Sequence, residues 1–553
     1  MSKTGASWFT PLISQEKPSA FPVVYLLFAF HPAFSFFMFF CFALRRGLLG
    51  LMALLLGALP AAAQPRAYGS RFVHDSLAAY VRRGLRLWDI PGLAVVVVKN
   101  GQVVVTQGFG VRTVGAPEPV DANTLFMIAS NTKLFTGTAL AQLEEEKRLN
   151  LNDPVRRYLP AYRLYDSTST RLVSIRDLLG HHLGTRTFQG DFTFWNSDLS
   201  RAEIVDKMRN LRPVNPFRQT YGYCNSGFLA AGEIIPQVLD GKRWEDWVQQ
   251  RLLTPLGMTR TYPLTAGYAQ RPNIARPYSD AFGPLIPLPF DHIDNLAPAA
   301  GLVSCASDLA HWLRFQLDSG RYAGRQVLPW ATLRRTRAAN TLVSDAKSSI
   351  LPSHFSMYGL GVFIGDYNGR QVYWHTGGAN GFVTNVCFVP EENLGIAVLT
   401  NQDNQSFFEA LRYQLLDAYL GVPYVDRSRQ LYTLARPGRE EVQRNVAELA
   451  SRVQRKNRPT RDLRTYAGVY RNPVYGTVTV EAQGRQLQVH FSNHPGLVAT
   501  LDYMDGEQFR TTYSNPAYGI FPALFRAEGP RVRTMELRVN PFLEQDSYVF
   551  SKQ

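Results

Sequence analysis

The chain has 553 residues, more than one ordinary domain holds, and its 45% hydrophobic and 19% charged content excludes collagen-like and disordered chains. Its formal charge is +15, but Lys and Arg are spread along the chain without a nucleic-acid-binding motif, so the excess reads as a solvated basic surface and nucleic acid is not an expected partner. Of the four cysteines, Cys41, Cys224, Cys305 and Cys387, none stands in C-x-x-C spacing; neither a zinc site nor a disulfide framework is expected, and one disulfide among the last three is left open without a pairing.

Arg45-Arg46, the apolar run Gly47 to Leu59 and the small residues up to Ala63 describe an export signal. The upstream apolar stretch Phe21 to Leu44 approaches the length of a membrane span. Residues 1–64 therefore read as an export signal or a membrane segment, with a periplasmic or secreted location expected and membrane association through the N-terminus left open. Next, apolar residues recur at helical spacing from Phe72 to Trp88, until Ile90-Pro91-Gly92 stops them. Leu93 to Val98 and Val103 to Val105 flank the turn signal Asn100-Gly101, a β-hairpin. Much later, Gln371 to Trp374, Asn385 to Val389 and Gly395 to Leu399 read as strands, followed by helical Phe407 to Leu420. Helices outside and strands just inside predict an α+β domain over 65–428, an antiparallel sheet flanked by helices. The Arg-, Glu-, Gln- and Asn-rich stretch from Arg436 to Thr460 reads as a polar, partly helical linker, bounded at 429–460. Period-two alternation at Val478–Val480, Leu487–Phe491, Leu537–Val539 and Tyr548–Phe550 predicts a small C-terminal all-β domain over 461–553.

The chemistry concentrates in three short motifs. Ser130-Asn131-Thr132-Lys133 is S-x-x-K, and on a helix residues three apart share a face, so the amine reaches the hydroxyl. Serine needs its proton removed to attack, and a desolvated neutral lysine removes it. The same pattern occurs at Ser14 and Ser344, but only Ser130 opens an apolar helical segment, Leu134 to Leu143, and so gains the exposed N–H groups of a rigid helix start. Tyr223-Cys224-Asn225 supplies a phenol to relay a proton and an amide to hold substrate; Tyr470 and Tyr513 begin similar triplets. His375-Thr376-Gly377-Gly378 follows a strand-like run, and a strand edge there offers the Gly378 N–H. With the Ser130 N–H it makes an oxyanion hole, each donor being worth roughly a hundred- to a thousand-fold in rate.

In this order, S-x-x-K, Y-x-N, H-T-G, the chain resembles the serine β-lactamase and penicillin-binding superfamily, most of all the class C β-lactamases and their peptidase and esterase relatives. The decoy Y-x-N triplets follow H-T-G and break that order. Leu178 to Gly184, Pro255 to Met258, Ala297 to Leu302 and Tyr358 to Gly361 are similar to the family too, and the likeness runs from about Ser70 to Pro423. Tyr466 to Tyr470 and Tyr475-Gly476 are similar to a small β domain of unknown function often attached to such proteins. The resemblance implies an acyl-enzyme hydrolase with Ser130 as nucleophile, Lys133 and Tyr223 as proton carriers, and Asn225, His375, Thr376 and Gly377 positioning a small-molecule or peptide substrate; no cofactor and no metal are expected. One departure bears on substrate. The family commonly has lysine where His375 stands, and an unperturbed imidazole, with a pKa of about 6.5, is mostly neutral at pH 7. That favours esters, peptides or amides over β-lactams. If His375 meets a substrate carboxylate, its attraction fades as pH rises through neutrality; the alternative is a bond to the Tyr223 hydroxyl or packing at the strand edge.

Of the remaining candidates, adjacent His181 and His182 read as a structural turn, since neighbours rarely ligate one ion. Asp291-His292-Ile293-Asp294 reads as a polar loop. Phe188, Phe192, Phe194 and Trp195 line a pocket or pack a core. The absence of G-x-S-x-G argues against an α/β-hydrolase. The rival function is a sensor or binding protein that keeps the fold without turnover, or a weak β-lactamase; nothing in the sequence fixes the oligomeric state.

Overall fold

Strand β1 (Gly92–Lys99) is almost wholly buried, and its alternation serves two cores at once. Leu93, Val95 and Val97 enter one cluster, Ala94, Val96 and Val98 the other. A valine run without a polar side is what a strand covered on both faces requires. β2 (Gln102–Gly110) returns along it through Asn100 and Gly101, both at positive φ. β3 (Thr341–Ser344), β4 (Ser356–Tyr358), β5 (Phe363–Tyr367), β6 (Arg370–Ala379), β7 (Phe382–Val389) and β8 (Leu394–Thr400) complete an eight-stranded sheet of order β2-β1-β8-β7-β6-β5-β4-β3. Every neighbouring pair is antiparallel. The architecture is thus the α+β class expected, and the first hairpin is sewn to the last strand of the domain. This computed structural model describes residues 66–553; the expected export or membrane segment, with Cys41 and Ser14, lies outside the described residues. Among the described residues no helix is long and apolar enough to cross a membrane.

Helices α1 (Leu77–Leu87) and α5 (Phe407–Leu420) cover one face, where Tyr80, Val81, Phe407 and Leu411 pack on the odd-numbered valines. α2 (Thr132–Glu145), α3 (Asn225–Gly232) and α4 (Ala306–Leu317) fill the other side. α2 is buried from Thr132 to Leu143, and Phe135 stacks on Trp312 of α4 with centroids 3.9 Å apart. A helix apolar on all sides belongs inside, so the residues at its start are held from every direction. Cys224, Cys305 and Cys387 are all buried free thiols, so the disulfide left open by the sequence does not form.

The stretch read as a partly helical linker is a continuous helix, α6 (Arg427–Gln454), with Pro437 inside it. Its start is fixed in the first domain by a buried Arg427–Asp417 ion pair at 2.6 Å, its end on the second by Arg452–Asp505, also 2.6 Å. Beyond it eight antiparallel strands close a barrel, the first (Gly468–Asn472) pairing with the last (Tyr548–Lys552) so that no edge is left open. Gln486–Phe491 alternates half-buried and buried residues along its length, the inward ones filling the barrel.

Candidate active site

Ser130 sits in a single 3₁₀ turn, Ala129–Asn131, that leads into α2. Ala129 has φ of 45°, a left-handed conformation that a residue with a Cβ keeps only where its surroundings impose it. Here Ile128 N–H donates to the Leu302 carbonyl (3.0 Å), while Asn131 Nδ2 donates to Ile128 O (3.1 Å) and to Thr384 Oγ1 (2.8 Å). Strand β6 runs against this turn because residue 377 is glycine. A Cβ there would lie 1.9 Å from the Ile128 carbonyl oxygen. The close approach brings Ser130 and Gly378 to the wall of one cavity of about 670 Å³.

Lys133, one turn after Ser130, is wholly buried. Its Nζ lies 2.6 Å from Asn225 Oδ1, 2.9 Å from the Ala299 carbonyl and 3.1 Å from Ser130 Oγ. The first two neighbours can only accept. A neutral amine has two N–H bonds and one lone pair, so with both N–H bonds committed the lone pair is left facing the Ser130 hydroxyl. Burial pushes the Lys133 pKa well below its ordinary value, against the smaller opposing pull of Asp191. Burial thus biases the side chain toward the neutral amine, the form that accepts a proton. Tyr223 closes the group from above: its hydroxyl hydrogen-bonds Ser130, and Lys133 Nζ is 4.7 Å from its ring centroid. Burial pushes the phenol far up, so Tyr223 rests protonated.

Asn225 was expected to hold a substrate amide. Both of its ends are engaged instead: Oδ1 takes the Lys133 bond, and Nδ2 donates to Asp191 Oδ2 at 2.6 Å. Asp191 is the member that sequence reasoning missed. Burial pushes its carboxyl well above the ordinary range. The available signal was a carboxylate in the middle of the aromatic stretch Phe188 to Trp195, where no solvated face exists for it.

His375 is buried, with its ring nitrogens committed. Nδ1–H donates to the Thr376 carbonyl (2.7 Å), which leaves Nε2 to accept from the Tyr358 hydroxyl (2.9 Å). The Tyr223 ring is near, at 6.2 Å between centroids, but the bonding phenol is that of Tyr358. Burial, reinforced by Lys133, pushes the imidazole down to about 3, so it stays neutral through the range in which the sequence expectation had it titrate. Thr376 lines the cavity and accepts at Oγ1 from Asn385 Nδ2 (3.0 Å); Gly377 serves the close approach described above.

His181 makes its turn at φ of 59° and turns its ring inward, where Nδ1 accepts the Cys224 N–H at 3.0 Å and the ring packs 4.3 Å from that of Tyr223. It packs against the tyrosine; among the described residues no group of three or more His, Cys, Asp or Glu side chains that could hold a metal ion is found. The expected polar loop at 291–294 is partly buried: Asp291 accepts from the Asn380 N–H (2.9 Å) and from Asn196 Nδ2 (2.9 Å), tying the β6–β7 turn to the loop beside the cavity. Of the decoys, Ser344 reaches the wall of the same cavity, but without a partner lysine. Ser344 ends a strand, so no helix returns Lys347 to it, and Tyr470 and Tyr513 spend their hydroxyls on barrel carbonyls.

The cavity wall carries many rings and aliphatic groups, among them Tyr221, Phe355, Trp374, Phe408, Leu434 and Phe542, interrupted by the charged side chains of Asp345, Asp366, Glu409 and Arg412. A chamber that is more apolar than polar, with the reacting cluster on its wall, suits a substrate with a substantial apolar portion.

Comparison with known proteins finds related sequences and a related fold. A fungal protein from Aspergillus campestris named unguisins hydrolase ungD' is 29% identical over 73% of this chain and 77% of its own length. Protein flp of Staphylococcus aureus is 27% identical over 61% of this chain and 65% of its own, just under two thirds of that relative. The structure of an octameric penicillin-binding protein homologue from Pyrococcus abyssi superposes with a TM-score of 0.56 over 86% of this chain and 99% of that one, at 21% identity, a likeness of fold. Residues 453–552 match a domain of unknown function, DUF3471. The beta-lactamase family model matches residues 77–420, and with Ser130, Tyr223, His375, Thr376 and Gly378 lining one cavity and Lys133 bonded to Ser130 behind it, the chain belongs to the β-lactamase family.

Proposed function

We propose that this protein is a serine hydrolase that works through an acyl-enzyme on ester, peptide or amide substrates carrying a bulky apolar acyl group. The observation that carries the reading is the Lys133 amine, with two acceptors for its two N–H bonds and its lone pair toward Ser130. In this reading Ser130 Oγ attacks the carbonyl carbon as its proton passes to Lys133. The N–H groups of Ser130 and Gly378 hold the oxyanion. The intermediate collapses, the bond to the leaving group breaks, and Tyr223 O–H gives that group its proton and recovers one from Lys133. Water then attacks the acyl-serine with the proton movements reversed. The neutral, buried His375 supplies no cation for a β-lactam carboxylate, which supports the uncharged substrates. Relatives named as hydrolases of unguisins support hydrolysis as the chemistry.

Labelling with a fluorophosphonate followed by peptide mass spectrometry tests it. Wild type should take one label on Ser130 and Ser130→Ala none; equal labelling of the two proteins would overturn the reading. With p-nitrophenyl esters, kcat/KM should climb with acyl length, by up to about fourfold per buried methylene, until the chamber is full.

A further inference from the structure

The turn that carries Asp191 is held by the other domain. Gly190, at φ of 88°, starts the short turn Asp191–Thr193 and leaves two backbone N–H groups pointing away from α2. Both donate to one side chain of the barrel domain, Glu544: Gly190 N–H to Oε1 at 2.7 Å and Phe192 N–H to Oε2 at 2.9 Å. Glu544 is fully buried and takes further hydrogen bonds from the hydroxyls of Tyr475 and Tyr548. The Phe192 carbonyl in turn accepts from His494 Nε2 at 2.8 Å. The Phe192 ring is a plug in the barrel mouth. It stacks on His494 (4.2 Å) and Tyr548 (5.5 Å) and meets Phe491 and Tyr518 edge-on.

Between these anchors the Asp191 side chain points the opposite way, to Asn225 at 2.6 Å; Asn225 holds Lys133 at 2.6 Å, and Lys133 lies 3.1 Å from Ser130. The chain of contacts from barrel to nucleophile is unbroken: buried hydrogen bonds hold the backbone on either side of Asp191 and join Asp191 to Asn225 and Asn225 to Lys133, and a part-buried one joins Lys133 to Ser130. Withdrawing the barrel's contribution would strip both N–H partners from the turn that sets Asp191, so the carboxylate would no longer be fixed from behind.

From this we infer that the C-terminal barrel is a working part of the active site: Glu544 and the ring socket for Phe192 fix the Gly190–Phe192 turn, and through Asp191 and Asn225 they set where the Lys133 amine stands. Glu544 is a positioning residue in this scheme, acting through others on the proton acceptor. The inference rests on the reading of Ser130 and Lys133 as the reacting pair.

A fluorophosphonate separates position from folding, because the final extent of labelling counts intact sites while the rate constant reports the geometry of each. Glu544→Gln puts an amide donor against the backbone donors of the turn. It should leave the labelling extent and the KM for a p-nitrophenyl ester near wild type, and lower the acylation rate constant and kcat by on the order of 10². Asp191→Asn should be similarly slow, and the double variant no slower than the worse single one, since both act on one chain of contacts. Should Glu544→Gln fail to fold, Phe192→Leu, which loosens the plug and keeps Glu544, makes the same test. A folded Glu544→Gln or Phe192→Leu protein with a wild-type rate constant would overturn the inference, as would a variant that merely labels to a lower extent at an unchanged rate. Ser130→Ala, run beside them, separates the two claims. If it still labels, the nucleophile is misassigned; if it does not and the barrel variants react at full speed, the positioning role alone falls.

Discussion

Lys133 has three polar neighbours and none is charged, which is why the fold favours its amine over its ammonium form. The same burial acts on His375, with a different result. An imidazole held down to about 3, bonded at both nitrogens, does not change charge anywhere near neutrality. A carboxylate-bearing ester and its neutral analogue should therefore show parallel kcat/KM profiles from about pH 5.5 to 8, a span around the ordinary imidazole pKa. Stopped-flow acylation with the two substrates checks this; a loss confined to the charged substrate would restore His375 as a titrating carboxylate contact. Ser130, Lys133 and Tyr223 were legible as a set because each motif restricts residue type at short spacing. Asp191 and Tyr358 were not, because their partners stand 34 and 17 residues away and no local pattern records a contact made across the fold. For His375 the residue was found, but its charge depends on burial, which the strand alternation alone does not give.

At the scale of elements, the site depends on how closely a strand and a turn meet. Gly377 allows β6 to touch the Ile128 carbonyl, and Gly361, at φ of 84°, would set a Cβ 2.1 Å from the Lys133 carbonyl. Gly377→Ala should push β6 away from the turn, destabilising the protein by about 1–3 kcal/mol as overpacking does and slowing acylation by on the order of 10² through the misplaced Gly378 N–H. Chemical denaturation and fluorophosphonate kinetics read the two effects separately, and unchanged acylation with reduced stability would remove Gly378 from the oxyanion hole. The elements themselves were largely readable. β1 with its hairpin, the strands near His375 and α5 all carry strong apolar patterns. Helix α6 was harder: its face is mostly solvent-exposed and Pro437 lies within it, so composition suggests a linker, whereas ion pairs made across the fold tie its two ends to the two domains.

For the molecule as a whole, the junction of the two domains adds a pH dependence to stability. Burial pushes the Glu544 carboxyl up to about 7, from 4.5. With its folded pKa raised, the group's contribution is full below the unfolded value and is lost as pH rises through about 7, by up to about 1.4 kcal/mol per unit. Glutamine does not titrate. The stability deficit of Glu544→Gln should therefore be large at pH 5 and small at pH 8, and thermal unfolding of both proteins at the two pH values measures it; a deficit that grew with pH would mean that the fold lowers the carboxyl pKa instead of raising it. The other buried groups divide between the domains unevenly. Cys224, Cys305 and Cys387 all belong to the β-lactamase-family domain and have thiols pushed up to about 12, while the barrel has no cysteine. Since only an exposed thiolate reacts, an alkylating reagent meets silence from the native fold and from a molecule whose barrel alone has come undone. Each alkylated sulfur is then a clock mark for the opening of the β-lactamase-family core, and the described part of the chain carries its own probe of which half fails first.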